Sequence, residues 1–187
     1  MSNITFKTVQ PDGFGQIYAD MQMQFPPEEL KPFNVFVKLL SEGKLECLGA
    51  YDNLTQVGYL IFAKADEFIW LDYIAVKKEF HSKGYGRKIL ACFKNMFLEV
   101  EKPRIENPDT LRRIKFYESL GAKKLGFEYL YPNNSGGLEM DLYFLGDNMP
   151  DNDKIFSVVK SVFKNIHADV NELDKFIDKI YKAMHSI

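Results

Sequence analysis

Residues 70–90 read WLDYIAVKKEFHSKGYGRKIL. The apolar run from Trp70 to Val76 leads into a basic turn holding Gly84 and Gly86, and then into the first residues of a helix. The run is apolar on both faces, which is the pattern of a strand buried inside a sheet. A strand feeding a glycine turn and then a helix is an anion-binding arrangement. The helix's first N–H groups lack intrahelical partners, and its dipole favours negative charge there. Two glycines let the backbone approach an anion closely. Lys77, Lys78, Lys83, Arg87 and Lys88 add positive charge, against Glu79 alone. A ligand carrying phosphate groups fits this stretch. So does a plain helix start with solvated lysines. It is not the dinucleotide fingerprint, because Ile89 stands where a third glycine would fall, and no Gly-Lys-Ser/Thr follows to make a P-loop.

Composition narrows the field. A chain of 187 residues suits one domain with room for an appendage. Its 46% hydrophobic content and 16 phenylalanines can fill a sizeable core, which argues against disorder. A net charge of −2 argues against a nucleic-acid partner, which would call for a basic excess. The basic cluster is local, so it suits a small anion. Cys47 and Cys92 are the only cysteines, and they build no disulfide framework. The start, MSNITFKTVQ, is too polar for a secretory signal, and no apolar run approaches membrane-spanning length. The expectation is a soluble cytoplasmic protein with no membrane partner. No His, Cys and carboxylate spacing suits a metal, and His167 and His185 are expected in solvent.

Working outward, residues 4–9 alternate as a first strand and 14–23 carry helical spacing. Pro26-Pro27 stops that element. A second helix is predicted with Glu28 and Glu29 in its first turn, burying Phe33, Phe36, Val37 and Leu40 and ending at Gly43. Strands follow at 46–51 and 57–64 around Asp52-Asn53, and at 68–76. The helix after the glycine turn is predicted over 84–98, burying Ile89, Leu90, Phe93, Met96 and Phe97, with a short strand at 97–101. A helix over 110–120 is capped by Gly121. Strands at 122–131 and 138–145 close this part. The stretch GDNMPDND, 146–153, reads as a linker. Beyond it lie two amphipathic helices, one presenting Ile155, Val158, Val159, Val162, Phe163 and Ile166, the other Leu173, Phe176, Ile177, Ile180, Tyr181 and Met184.

Three ordered segments resemble the GNAT superfamily of acetyl-CoA-dependent N-acetyltransferases. Leu71-Asp72-Tyr73-Ile74-Ala75-Val76 is similar to its fourth strand, and His81-Ser82-Lys83-Gly84-Tyr85-Gly86-Arg87 to its Q/R-x-x-G-x-G/A turn. Phe116-Tyr117-Glu118-Ser119-Leu120-Gly121-Ala122 is similar to its "YEKLGF" helix end. The resemblance implies an α+β, three-layer fold with a mixed, mostly antiparallel, splayed sheet flanked by helices. Residues 1–147 would form that domain, and 148–187 a C-terminal helical pair packed on it or on a partner subunit. There are departures. His81 stands for Gln or Arg, Ser82 for a frequent Gly, Thr110 for an Asn contact and Ala122 for Phe.

The resemblance also implies a site. Acetyl-CoA, as acyl donor, would pair its amide arm with the backbone at Ile74, Ala75 and Val76, and set its pyrophosphate on residues 81–87, with Thr110 a further contact. Acyl transfer from a thioester to an amine needs a neutral amine, donors for the oxyanion and a proton for the leaving thiolate. Tyr117 matches the superfamily tyrosine that often gives that proton. Asp72 and Glu99 are candidate bases, because an unpaired carboxylate in an apolar run is costly and needs a reason. The acceptor is expected to be a small-molecule amine, and the protein a monomer or homodimer. A non-catalytic acyl-CoA sensor and a protein N-acetyltransferase are the alternatives.

Overall fold

A computed structural model of the chain describes residues 4–185, with only the main chain of Glu28. β1 (Ile4–Thr8), β2 (Glu46–Asp52) and β3 (Thr55–Ala65) form an antiparallel meander, with Phe6 opposite Ala50 and Leu48 opposite Leu60. Asn53, at φ 56°, makes the β2–β3 turn. β4 (Phe68–Val76) has the bounds its apolar run predicts. Later come β5 (Met96–Glu101), β6 (Lys123–Lys124), β7 (Tyr129–Tyr131) and β8 (Leu138–Leu145). The helices are α1 (Phe14–Gln24), α2 (Phe33–Ser41), α3 (Tyr85–Leu90), α4 (Pro108–Glu118), α5 (Asn152–Ile166) and α6 (Leu173–His185). Hydrogen-bonded order in the sheet is β1-β2-β3-β4-β5-β8-β6, with β7 also on β8. The fold is α+β on an open, mostly antiparallel sheet.

The chain divides into two compact units. One is the described part of Met1–Ala63 with Leu71–Phe93, and the other is Lys64–Trp70 with the described part of Lys94–Ile187. In the first, Phe14, Ile17 and Met21 of α1 and Phe36 and Leu39 of α2 are buried, as are Tyr59, Leu60 and Ile61 of β3. Phe14 lies 5.3 Å from Phe36 and 6.2 Å from Phe33, which is 42% exposed rather than buried. α2 starts later than predicted, because Pro32 is its N-cap and disfavours helix in the residue before it. Pro27–Glu29 is instead a separate 3-10 turn.

α3 is also shorter than predicted and ends at Leu90. Asn95 takes φ 53°, which breaks the backbone, and Met96 and Phe97 go into β5 at 0% exposure. Periodicity cannot separate a short buried strand from the end of a buried helix. The expected strand over 122–131 is likewise two pieces, β6 and β7, with Leu125 still bonded to Leu142 between them.

In the second unit, β8 pairs with β5 (Glu99 opposite Leu142, Val100 opposite Asp141), and with β6 and β7 along its other edge. α5 begins where Asp151 accepts from the Lys154 N–H at 2.8 Å, a regular N-cap. Its apolar stripe, Ile155, Val158, Val159, Val162, Phe163 and Ile166, is buried throughout. Phe163 meets the Tyr129 ring at 6.1 Å, and Lys154 lies 5.7 Å above the Phe68 ring and bonds Asp66 at 2.9 Å. α6 packs on α5 and β7. Gly137 leaves room for this: a Cβ there would lie 2.7 Å from both Leu130 and Phe176, and its φ is +95°. His167 is not in solvent. It is 1% exposed, against Tyr131 at 5.0 Å and Phe163 at 5.5 Å. Among the described residues, no helix is long and apolar enough to cross a membrane.

Candidate functional site

The first unit holds β4's end and the glycine turn. Leu71, Tyr73 and Ala75 point one way and are buried, while Asp72, Ile74 and Val76 share the other face and are half-buried. The Asp72 carboxylate is 1% exposed although the residue as a whole is only half-buried, so its accessible surface is main chain. Both of its oxygens take the Lys31 ammonium, at 3.1 and 3.0 Å. Lys31 is itself 6% exposed and sits 5.9 Å from the Phe36 ring centre and 5.7 Å from that of Tyr73. Burial pushes the Asp72 carboxyl above its ordinary range, and Lys31 opposes that. Around the pair, Tyr18 stands 5.2 Å from Phe33, and Phe25 5.1 Å from Tyr73.

The turn follows. His81 Nε2 lies 2.8 Å from the Val76 carbonyl. A carbonyl only accepts, so that nitrogen carries the proton and ties the turn to the strand's end. Ser82 sits at φ 60°, a conformation that costs a non-glycine residue about 1–3 kcal/mol. Gly84, at φ 78°, is the N-cap of α3 with no side chain capping the helix start. A Cβ added there would meet nothing within 4 Å. Lys83 donates to the Glu79 carbonyl at 2.9 Å, and Tyr85 to Asp52 at 2.7 Å. Lys83, Arg87 and Lys88 are exposed, and Gly86 is half-buried.

In the second unit, Glu99 accepts from the Trp70 indole N–H at 3.1 Å and from the Tyr129 hydroxyl. Tyr117 on α4 is 6% exposed, and burial holds its phenol protonated up to about 12. It is thus a hydrogen-bond donor at neutral pH and a weaker acid than a free tyrosine. Glu101, 3% exposed, takes the Arg113 guanidinium. Thr110 is 1% exposed. Its hydroxyl donates to the Asn107 carbonyl at 2.7 Å and accepts from the Arg104 N–H at 3.0 Å, so much of its bonding capacity is spent bracing the loop. Among the described residues, no cluster of His, Cys, Asp and Glu could hold a metal.

Lys31, Trp70 as a donor and Tyr129 were not singled out by the sequence. One signal existed: a carboxylate in an apolar strand requires a buried partner. Nothing in the pattern says which cation or hydroxyl supplies it.

Two buried acids give a pH expectation. Burial raises the Cys47 thiol from 9.0 to about 12, and Tyr117 from 10.0 to about 12. Both raised values mean the folded state keeps protons that the unfolded state releases. Their contribution to stability is complete below about pH 9 and is lost as pH climbs towards 12. The melting temperature should hold level to pH 9 and fall above it, and Cys47→Ala should delay the onset to about pH 10. An unchanged onset in that variant would remove Cys47 as the cause.

The family model described as an acetyltransferase (GNAT) domain matches residues 43–121. The Bacillus subtilis protein YjbC, provisionally named an acetyltransferase, is 26% identical over 162 residues, covering 83% of each chain. Among solved structures, a Bacteroides thetaiotaomicron protein, provisionally named a GNAT-family acetyltransferase, superposes with a TM-score of 0.74 at 21% identity, covering 89% of this chain and 99% of its own. The ribosomal-protein-S18-alanine N-acetyltransferase of Escherichia coli gives 0.57 at 19% identity, covering 80% of this chain and 97% of its own. Residues 43–121 thus match a GNAT acetyltransferase domain model, and the chain shares the fold of GNAT-family structures.

Proposed function

We propose that this protein transfers an acetyl group from acetyl-CoA to the primary amine of a small molecule, by direct attack in a ternary complex. The observation that carries this reading is the accessible main chain of β4 beside the glycine turn. At Asp72 the side chain is sealed while the backbone is open, which suits strand-like pairing with an amide-bearing ligand. Main-chain groups of Ile74, Ala75 and Val76 hold that arm. The turn from His81 through Ser82, Lys83, Gly84, Tyr85 and Gly86 to Arg87 offers N–H groups and positive charge to phosphates. Bound there, acetyl-CoA supplies the reactive thioester.

This chain's own residues do the rest. Tyr117 donates a hydrogen bond to the leaving sulfur. Glu99 takes the proton from the acceptor ammonium. Asp72 suits that task less well, because its carboxylate is sealed and already holds Lys31. The aromatic cluster of Tyr18, Phe25, Phe33, Phe36 and Tyr73 supports an apolar amine over a polypeptide.

The test is a panel of small amines with acetyl-CoA, read as free thiol. Turnover with none of them, alongside tight acetyl-CoA binding, would favour a non-catalytic binding module. Tyr117→Phe should lower kcat about 10²-fold and leave KM for acetyl-CoA nearly unchanged; an unchanged kcat would end the donor role. Gly84→Asp tests the turn. The protein has space for the new side chain, but φ 78° strains any non-glycine residue by about 1–3 kcal/mol, so each protein's own ligand-free melting temperature is the reference. Acetyl-CoA should raise the melting temperature of the parent protein by mass action and fail to raise that of the variant. A variant stabilised as well as the parent would place the phosphates elsewhere.

A further inference from the structure

Glu99 has a built surround within the second unit. Its Oε2 accepts from the Trp70 indole at 3.1 Å and its Oε1 from the Tyr129 hydroxyl. Trp70 is 0% exposed and Tyr129 2% exposed, so neither donor turns away without opening the core. Donors aimed at the ionised form hold a carboxylate charged.

Tyr129 is fixed in turn by the C-terminal helices. Its ring stands edge-on to Phe163 of α5 at 6.1 Å, and Phe163 is 0% exposed. Two residues along β7, Tyr131 meets His167 at 5.0 Å, and His167 meets Phe163 at 5.5 Å. The strand carrying the donor is therefore pinned at two points by the end of one helix.

We propose that Trp70 and Tyr129 are positioning residues that hold Glu99 ionised and oriented to take the acceptor's proton, and that α5, through Phe163, is the brace that fixes Tyr129. This rests on the acetyl-transfer reading above. It gives the C-terminal helices a part in the chemistry. Among the described residues, the titratable and charged groups near Glu99 include Tyr129 on β7, and Glu101 two residues along β5 with Arg113 of α4 on it. On the neighbouring elements, Asp141 of β8 stands opposite Val100, on the other face of the sheet, and holds Lys124 of β6, and His167 packs on Tyr131, two residues from Tyr129. Arg113 and Lys124 are unaltered in every variant below, so a change in titration reports the donor removed.

Trp70 is the chain's single tryptophan, so its emission reports on the indole bonded to Glu99 in the full-length protein. Emission should titrate with a midpoint that vanishes in Glu99→Gln. Tyr129→Phe removes a donor to the ionised form and should raise that midpoint by about one pH unit. Phe163→Ala should move it the same way by less, with Phe163→Leu as the milder variant if Ala fails to fold. In the amine assay, Tyr129→Phe should lower kcat about tenfold near neutral pH. It should leave KM for acetyl-CoA unchanged and shift the acidic limb of the pH profile as the emission shifts. A midpoint unmoved by Tyr129→Phe, with Glu99→Gln inactive, overturns the positioning role and leaves acetyl transfer standing. Full activity in Glu99→Gln shows instead that the base was misassigned, and the proposal falls with it.

Discussion

Deleting residues 151–187 is expected to cost the protein its soluble folded state. α5 buries Ile155, Val158, Val159, Val162, Phe163 and Ile166, and α6 buries Phe176, Ile177, Ile180 and Met184. Fully burying one such side chain is worth roughly 1.5–3 kcal/mol before entropy is counted. Domains are stable by only about 5–15 kcal/mol in all. The deletion removes ten of these side chains and also uncovers what they covered. Tyr129 and Tyr131 lose Phe163 and His167, and Phe68 loses Lys154. The truncated chain should aggregate on expression or bind a hydrophobic dye strongly. A truncated chain with the parent's melting temperature would show that the tail is an ornament.

The second large effect is at Lys31. Lys31→Met leaves the Asp72 carboxylate 1% exposed and stripped of the ammonium that both its oxygens hold. Breaking a buried pair by removing one member costs about 3–5 kcal/mol, because a buried charge is left uncompensated. Replacing both members with apolar groups of similar size is often close to neutral. Lys31→Met with Asp72→Leu should therefore recover most of the loss. The pH dependence separates the two variants. Burial raises the folded-state pKa of Asp72 above its ordinary 3.8. Removing Lys31 takes away the charge that opposes that rise, so the single variant is least destabilised in acid and loses stability as pH climbs past that value. The double variant should not show this trend. Equal melting temperatures for parent and single variant at pH 7 would mean the pair contributes little.

What the sequence made legible follows the range of the interactions. β4 was readable to its ends, because a continuous apolar run bounded by Asp66-Glu67 and Lys77-Lys78 has few alternatives. The glycine turn was readable because Gly84's positive φ is a local demand. The two tail helices were readable because their stripes are long and regular. The end of α3 was not. Met96 and Phe97 continue a helical spacing, and only Asn95's backbone and pairing with Leu145 and Phe144 make them a strand. In the site, Asp72 and Glu99 stood out as acids in apolar company. Their partners lie 41 and about 30 positions away along the chain. Lys31 falls in a proline-flanked loop with no periodicity, and Tyr129 looked like one more strand aromatic.

The division of β4 between two compact units has a consequence for how the chain is made. Everything the first unit contains has left the ribosome once Phe93 has emerged, and domains tend to form in that order during synthesis. Phe68 and Trp70 are made early but belong with later residues. Their rings meet Phe97, Phe144 and Tyr129. A nascent chain therefore carries one end of β4 uncovered while β5 through β8 are still being added. That aromatic face is closed only when Phe163 arrives on Tyr129, after β5 through β8 have been made. Ribosome stalling before α5 would release a species with an intact N-terminal unit and an open apolar sheet, which is the kind of product that chaperones retain and proteases clear.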